Sequence, residues 1–149
     1  MASGDALGNT FENDLMLLIF NATAIGNIAD NAASSPLTNL YVSLHTADPG
    51  EAGDQTTSEI SYTGYARVAV ARSSGGWTVT SNSVSPVAAI TFPASTGGTG
   101  GTVTHFAVGT AASGTGKILF GSGCTVTPNI VVSSGVTPSL TTATAITEN

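Results

Sequence analysis

The spacing of apolar residues changes once along the chain, from a helical period near the N-terminus to a strand period in the rest. The helical part has one apolar stripe, formed by Phe11, Leu15, Leu18, Ile19, Ala22 and Ile25. Thr10 can cap this helix, and Glu12 and Asp14 are favoured in its first turn by the helix dipole. We expect the helix to end at Gly26 or within the Asn-rich stretch 27–31.

Three further apolar residues lie off that stripe: Met16, Leu17 and Phe20. The helix is therefore apolar around more than half of its girth. A helix of this kind is either deeply buried or docked on a neighbouring subunit, and the sequence leaves both possibilities open.

From residue 40 onward, short segments rich in Val, Ile and Thr are separated by turn signals such as Asp48-Pro49-Gly50. Segment 65–72 alternates most clearly, with Val68 and Val70 on one face. The predicted strands are 40–45, 65–72, 77–81, 87–92, 103–109, 117–121, 125–132 and 140–146. Because no segment between the strands has a helical pattern, the sequence argues against a parallel α/β sheet.

These patterns predict a mainly β protein: an antiparallel, jelly-roll-like β-sandwich of about eight strands with one N-terminal α-helix. The chain is expected to form a single domain, with a leader and amphipathic helix in residues 1–39 and the sandwich in residues 40–149. The acidic segment 51–61 has no periodicity and is expected to be an exposed loop.

Charge is sparse and unevenly distributed. Every Asp and Glu except Glu148 lies within residues 1–59, whereas Arg67, Arg72 and Lys117 lie in the later part. Only 8% of the residues are charged, against about 25% in an ordinary soluble domain. Such a surface is typical of an obligate assembly. The net charge of −6 argues against nucleic-acid binding.

The sequence also bears on the compartment in which the chain folds. The longest apolar run, 15–20, is far shorter than the roughly 18–20 residues of a membrane span, and the N-terminus lacks the basic region of a signal peptide. A single cysteine, Cys124, excludes an intrachain disulfide framework. We therefore expect folding in a reducing cytoplasm and no membrane association.

Possible catalytic and metal-binding groups are few. Ser43, His45 and Asp48 suggest a triad, but they lie within one strand and its turn, whereas a triad is usually assembled from distant segments. His45 and His105 lack a third metal ligand at suitable spacing. The glycine-rich run 97–101 lacks the Lys-Ser/Thr ending of a phosphate-binding loop. We predict no enzyme activity, no cofactor and no metal.

An ordered set of sequence blocks gives a more specific indication. The blocks are LYVSLHTADPG at 40–50, Tyr-Ala-Arg at 65–67, Ser-Asn-Ser at 81–83, Ile-Thr-Phe-Pro at 90–93 and TVTHF at 102–106. Together with the N-terminal helix, this set resembles a widespread group of small tailed-bacteriophage virion structural proteins. The run 97–101 departs from that group, in which a tryptophan-bearing turn is expected before the TVTHF block.

The resemblance implies a protein of the virion, folded in the host cytoplasm before assembly. The leading hypothesis is a capsid decoration, or cement, protein that binds the major capsid protein as a homo-oligomer, most simply a homotrimer. The alternative is a tail component, such as a fibre base, collar or tail-tip adaptor, with tail or baseplate proteins as partners. A more distant alternative is a carbohydrate-binding module that uses Trp77 with Tyr62 and Tyr65.

The candidate interface residues are the helix residues Phe11, Leu15, Leu18 and Ile19, the two arginines Arg67 and Arg72, and Trp77. The helix is expected to dock on a partner protein. The arginines are expected to pair with acids of a neighbouring subunit, because no acid lies near them in the sequence after residue 59.

Overall fold

The computed structural model describes residues 9–25 and 36–147, in which one helix precedes ten strands. The elements are α1 (Asn9–Asn21), β1 (Asn39–His45), β2 (Val68–Ala71), β3 (Trp77–Thr80), β4 (Ser83–Pro86), β5 (Ile90–Thr91), β6 (Gly101–Gly109), β7 (Ile118–Phe120), β8 (Thr125–Val132), β9 (Ser139–Leu140) and β10 (Ile146–Thr147). The predicted mainly β fold with one N-terminal helix is confirmed.

All strand pairs are antiparallel and form three sheets. The largest sheet has the order β2-β1-β6-β7, and β8 pairs with β6 on the same side as β7. A three-stranded sheet has the order β10-β4-β3, and β5 pairs with β9. The buried side chains of these sheets and of α1 form one hydrophobic cluster, which gives a sandwich-like arrangement.

The strand count differs from the predicted eight for two local reasons. Strand β4 contains only one large apolar residue, Val84, and its alternation with serines is too weak to predict a strand. The predicted strand 140–146 is divided by a turn in which Thr144 N–H donates to the carbonyl of Thr141 at 3.0 Å. The result is the separate short strands β9 and β10.

Helix α1 packs a different face from the predicted one. The buried apolar side chains are Met16 and Phe20, whereas Leu15, Leu18 and Ile19 are only partly buried. The side chain of Phe11 lies outside the described residues. The helix also ends earlier than predicted, at Asn21, where Ala22 takes a left-handed conformation with φ of 54°.

Strand β1 is buried on both faces. Leu40, Val42 and Leu44 belong to the hydrophobic cluster, and strand alternation directs Ser43 and His45 to the opposite face. Both are fully buried, because the segment between β1 and β2 covers that face. The predicted exposed loop 51–61 is therefore wrong in part: it contains the buried residues Gln55 and Ile60.

Gln55 holds this covering segment against the sheet. Its side-chain Nε2 donates to the carbonyl of Tyr41 at 3.2 Å, and its Oε1 accepts from Ala111 N–H at 3.0 Å. A Cβ atom added at Gly109 or at Gly116 would overlap the Gln55 side chain. The two glycines therefore provide the space that the buried amide occupies.

We expect Gly109→Ala to destabilise the protein by about 1–3 kcal/mol, because the added methyl overpacks the Gln55 site. Gly75→Ala is the control, since a Cβ there meets nothing closer than the Ser73 hydroxyl at 3.6 Å. The measurement is the urea unfolding midpoint of each variant. Equal midpoints for the two variants would contradict this account of Gly109.

Candidate functional site

Arg67 is engaged inside its own chain, which corrects the predicted pairing with a neighbouring subunit. Its Nε donates to Oε1 of Glu59 at 2.7 Å, and its Nη2 donates to Oε2 at 2.8 Å. The same guanidinium donates to the carbonyls of Ala111 at 3.0 Å and Gly114 at 2.8 Å. The Arg67 side chain is 2% exposed, so this ion pair is a buried one.

Tyr65 completes this cluster. Its hydroxyl donates to Oε1 of Glu59 at 2.8 Å and accepts from the backbone N–H of Leu44 at 3.1 Å. Burial raises the pKa of Tyr65, and the bond to Glu59 raises the pKa of Arg67. The cluster joins β1, the covering segment and loop 110–116. Residues 65–67 within it are not strand, although the alternating pattern predicted one there.

Arg72 is also engaged inside the chain, at the C-terminal end of α1. Its Nη2 donates to the carbonyl of Leu18 and its Nε to the carbonyl of Ile19, each at 2.6 Å. Its Nη1 donates to the carbonyl of Leu37 at 3.3 Å. A cation at this position satisfies end-of-helix carbonyls and is favoured by the helix dipole. Arg72 therefore positions the helix, and its pairing with a neighbour's acid stays a prediction.

Trp77 is 3% exposed and belongs to the core. Its ring packs edge-on against Phe20 with centroids 4.8 Å apart. Tyr62 is also buried, and its hydroxyl donates to the carbonyl of Pro93 at 2.8 Å. A sugar cannot stack on these buried rings, so the hypothesis of a carbohydrate-binding surface built on Trp77 is wrong.

Ser43 and His45 form a hydrogen-bonded pair that substrate cannot reach. Nδ1–H of His45 donates to the carbonyl of Thr57 at 2.8 Å, which leaves Nε2 to accept from the Ser43 hydroxyl at 2.9 Å. Both residues are 0% exposed. Asp48 accepts instead from the backbone N–H groups of Gly50 at 2.8 Å and Gly123 at 3.1 Å. The pair is thus a buried structural contact between β1 and the covering segment.

Because His45 is buried, we expect the free energy of unfolding to depend on pH. Burial lowers the pKa of His45 below its ordinary value of 6.5, although the bond to Thr57 and the charge of Glu59 oppose this. Below pH 6.5 the unfolded chain takes up a proton that the folded chain does not. The free energy of unfolding should therefore be fully retained above pH 6.5 and should fall as the pH drops toward the folded-state pKa.

Urea unfolding between pH 8 and pH 5 measures this effect, with His45→Gln as the comparison. Gln supplies an amide donor group and a carbonyl acceptor but does not titrate, so the midpoint of this variant should change less over this range. Asp48 and Asp54 have pKa values below their ordinary 3.8, because backbone and hydroxyl groups donate to them. Their protonation therefore affects stability only at a pH below the range of this experiment. An equal pH slope in both proteins would exclude His45 as the cause.

Burial raises the pKa of the Cys124 thiol to about 11, so this cysteine is protonated at neutral pH. Within residues 9–25 and 36–147, no group of three or more His, Cys, Asp or Glu side chains could hold a metal ion. No helix among the described residues has the length and apolar character needed to span a membrane.

A mostly apolar surface groove lies beside the C-terminal half of α1. A groove of about 280 Å³, the α1 groove, is lined by Ile19, Pro36, Leu37, Leu40, Arg72, Thr110 and Leu119. Leu37 is 42% exposed there. Of the predicted interface residues, Ile19 lines this groove, whereas Leu15 and Leu18 are partly exposed on the same helix. The sequence pattern did not indicate Leu37 or Leu119, because these residues come next to α1 only through the fold.

Comparison with known proteins agrees with the resemblance found in the sequence. No curated protein matches the chain. A family model described as podophage GP4 fiber I protein gp80 matches residues 7–145, which include α1 and nearly all of the strands. The chain therefore belongs to the podophage GP4 fiber I protein gp80 family, a family of small tailed-phage virion structural proteins.

Proposed function

We propose that this protein is a non-enzymatic structural subunit of the phage tail, at a fibre or at the site where a fibre attaches. The observation that carries the proposal is the family match, because the family's description names a fibre protein. Among the two virion roles expected from the sequence, this description favours the tail component over the capsid decoration protein. Its partners would then be tail or baseplate proteins.

The arrangement of charges supports a role in packing against other proteins. Arg67 and Arg72 are used inside the chain, and Glu59 is bound to Arg67. The docking contact is therefore expected to be apolar, centred on the α1 groove and the partly exposed Leu15 and Leu18. Full burial of one leucine side chain contributes about 1.5–3 kcal/mol, so a few such residues suffice for a specific contact.

The copy number per particle tests the proposed location. Quantitative gel densitometry of purified virions should give tens of copies or fewer, as expected of a fibre or tail component. Hundreds of copies would instead indicate a protein that covers the head, and would overturn the tail assignment.

A pair of surface variants tests the proposed docking face. Leu37→Asn changes the α1 groove, whereas Val131→Asn changes an exposed apolar residue on β8 that is 67% exposed. Both proteins should fold with nearly unchanged midpoints, because both residues are exposed. Incorporation into virions should fall at least tenfold for Leu37→Asn only. Normal incorporation of Leu37→Asn would remove the α1 groove from the proposal.

The oligomeric state is a separate expectation. We propose a homo-oligomer, most simply a trimer, because a surface with so few charges suits an assembled protein. Light scattering on the purified chain measures the mass directly. A mass that stays monomeric across the accessible concentration range would contradict this part of the proposal.

A further inference from the structure

The outer edge of β2 carries backbone groups that no described residue bonds. Arg72 N–H donates to the carbonyl of Thr38 at 2.9 Å, and Val70 pairs with Leu40 in the same register. In an antiparallel pair the bonding direction alternates, so Val70 faces β1 whereas Ala69 and Ala71 face away. Within the described chain, the N–H and C=O of Ala69 and the N–H of Ala71 have no hydrogen-bond partner.

A second strand edge lies across a groove from this one. Phe92 N–H donates to the carbonyl of Pro138 at 2.9 Å, and Ile90 pairs with Leu140. The same alternation turns the backbone groups of Ala89 and Thr91 away from β9. The groove between β2 and β5 measures about 380 Å³. It is lined by Val68, Ala69, Val70, Ala71, Gly75, Gly76, Ala88, Ala89, Ile90 and Thr91.

The composition of this groove limits what could fill it. None of its lining residues is charged, and most of them have a side chain no larger than a methyl group. An uncharged segment suits such a groove, because a buried charge would find no partner there. An extended backbone suits it too, because the unpaired groups repeat at strand spacing along β2.

The two edges of the largest sheet differ in how well they are protected against pairing with a strand of another protein. Strand β8, at the other edge, contains Pro128, and its pairing with β6 shifts in register between Val103 and His105. Proline and such irregularities are common devices that prevent unwanted strand pairing. Strand β2 has neither device, although its backbone groups are open. This difference is expected if β2 is covered in the assembled particle.

We propose that the groove between β2 and β5 binds an extended, uncharged segment of another virion protein, which pairs with β2 as an added strand. This inference rests on the proposed function, since the partner belongs to the same particle. A second copy of the chain fits less well. Strand β5 lies close to β2, and a second copy would have to bring the edge of a whole sheet into the same space.

Hydrogen exchange at single residues, on the isolated full chain and on purified virions, tests the inference. The amides of Ala69 and Ala71 should exchange rapidly in the isolated chain and at least tenfold more slowly in virions. The amide of Val70, which faces β1, should be slow in both samples and serves as the internal control. Equally rapid exchange of Ala69 in virions that contain the chain would overturn this inference but not the proposed function.

Two further outcomes are also decisive. Protection in the isolated chain that increases with concentration would identify a second copy as the occupant and overturn the proposed partner. Absence of the chain from virions would overturn this inference together with the proposed function.

A matched pair of substitutions at Ala69 distinguishes the effect of losing the backbone N–H from the effect of changing the side chain. Ala69→Pro removes the outward N–H and leaves the bonds to β1 in place, as proline does on edge strands. Ala69→Thr keeps the N–H and favours a strand. Both variants should melt within a few degrees of the parent protein. Incorporation into virions should fall at least tenfold for Ala69→Pro only. Equal incorporation of both folded variants would contradict strand addition at β2.

Discussion

Glu59→Ala is expected to destabilise the protein by about 3–5 kcal/mol, because it leaves the charge of Arg67 buried without its carboxylate. The Arg67 side chain is 2% exposed, and Glu59 supplies both acceptors of its bidentate contact. The remaining acceptors are two backbone carbonyls, which are neutral. Tyr65 also loses the acceptor for its buried hydroxyl. Urea unfolding at neutral pH measures the loss.

The control is Glu51→Ala, which removes an exposed acid from the same covering segment. Its effect should stay within about 0.5 kcal/mol of zero, as is usual for surface positions. A second comparison is Glu59→Leu combined with Arg67→Met, which should be more stable than Glu59→Leu alone, because no uncompensated charge remains. If Glu59→Ala and Glu51→Ala unfolded at the same urea concentration, the ion pair would not hold the covering segment in place.

Phe20→Ala should cost about 3–5 kcal/mol, the usual range for a fully buried aromatic side chain. Phe20 is 0% exposed and contacts the rings of Trp77 and Phe120, with centroids 4.8 Å and 5.5 Å away. Its loss leaves a cavity between α1 and β3. Thermal or urea unfolding monitored by the fluorescence of Trp77, the only tryptophan in the chain, reports on this site directly.

Leu15→Ala is the matched control on the same helix, because Leu15 is only partly buried. It should cost less than Phe20→Ala, about 1–2 kcal/mol, since Leu15 is only partly buried and loses less buried apolar area. This pair also separates the observed helix face from the one that the apolar spacing predicted. A larger loss for Leu15→Ala than for Phe20→Ala would favour the predicted face.

The sequence predicted the strands of the largest sheet well where apolar residues and turn signals agree. Segment 125–132 matches β8, and segments 40–45 and 103–109 match β1 and β6 to within two residues. Each of them has a Gly, Asn or Asp at or within three residues of either end of a run rich in strand-forming residues. The class of fold follows from these runs, because no segment between the strands has a helical pattern.

The face of the helix could not be predicted from apolar spacing. Helix α1 has apolar residues around most of its circumference, so the spacing does not distinguish the stripe through Leu15 from the one through Met16 and Phe20. The face is chosen by the partners that the fold provides, namely Trp77 and Phe120. These residues are distant in sequence, and no local pattern connects them to the helix.

The partner of Arg67 was mispredicted for a related reason. Acids and bases are segregated along the sequence, which suggested that Arg67 and Arg72 must find partners in another subunit. In the folded chain the covering segment lies against β1, which brings Glu59 within 2.7 Å of Arg67. Arg72 is satisfied by the carbonyls of a helix that ends about fifty residues earlier in the chain. The segregation of acids and bases along the sequence therefore did not mean segregation in space.

A reconstruction of the intact virion that resolves this chain tests the central claim most directly. The account predicts density for the chain at the tail, in a fibre or at its attachment site, with the α1 groove against another tail protein. Density on the outer surface of the head, between capsomers and with no copy at the tail, would contradict it.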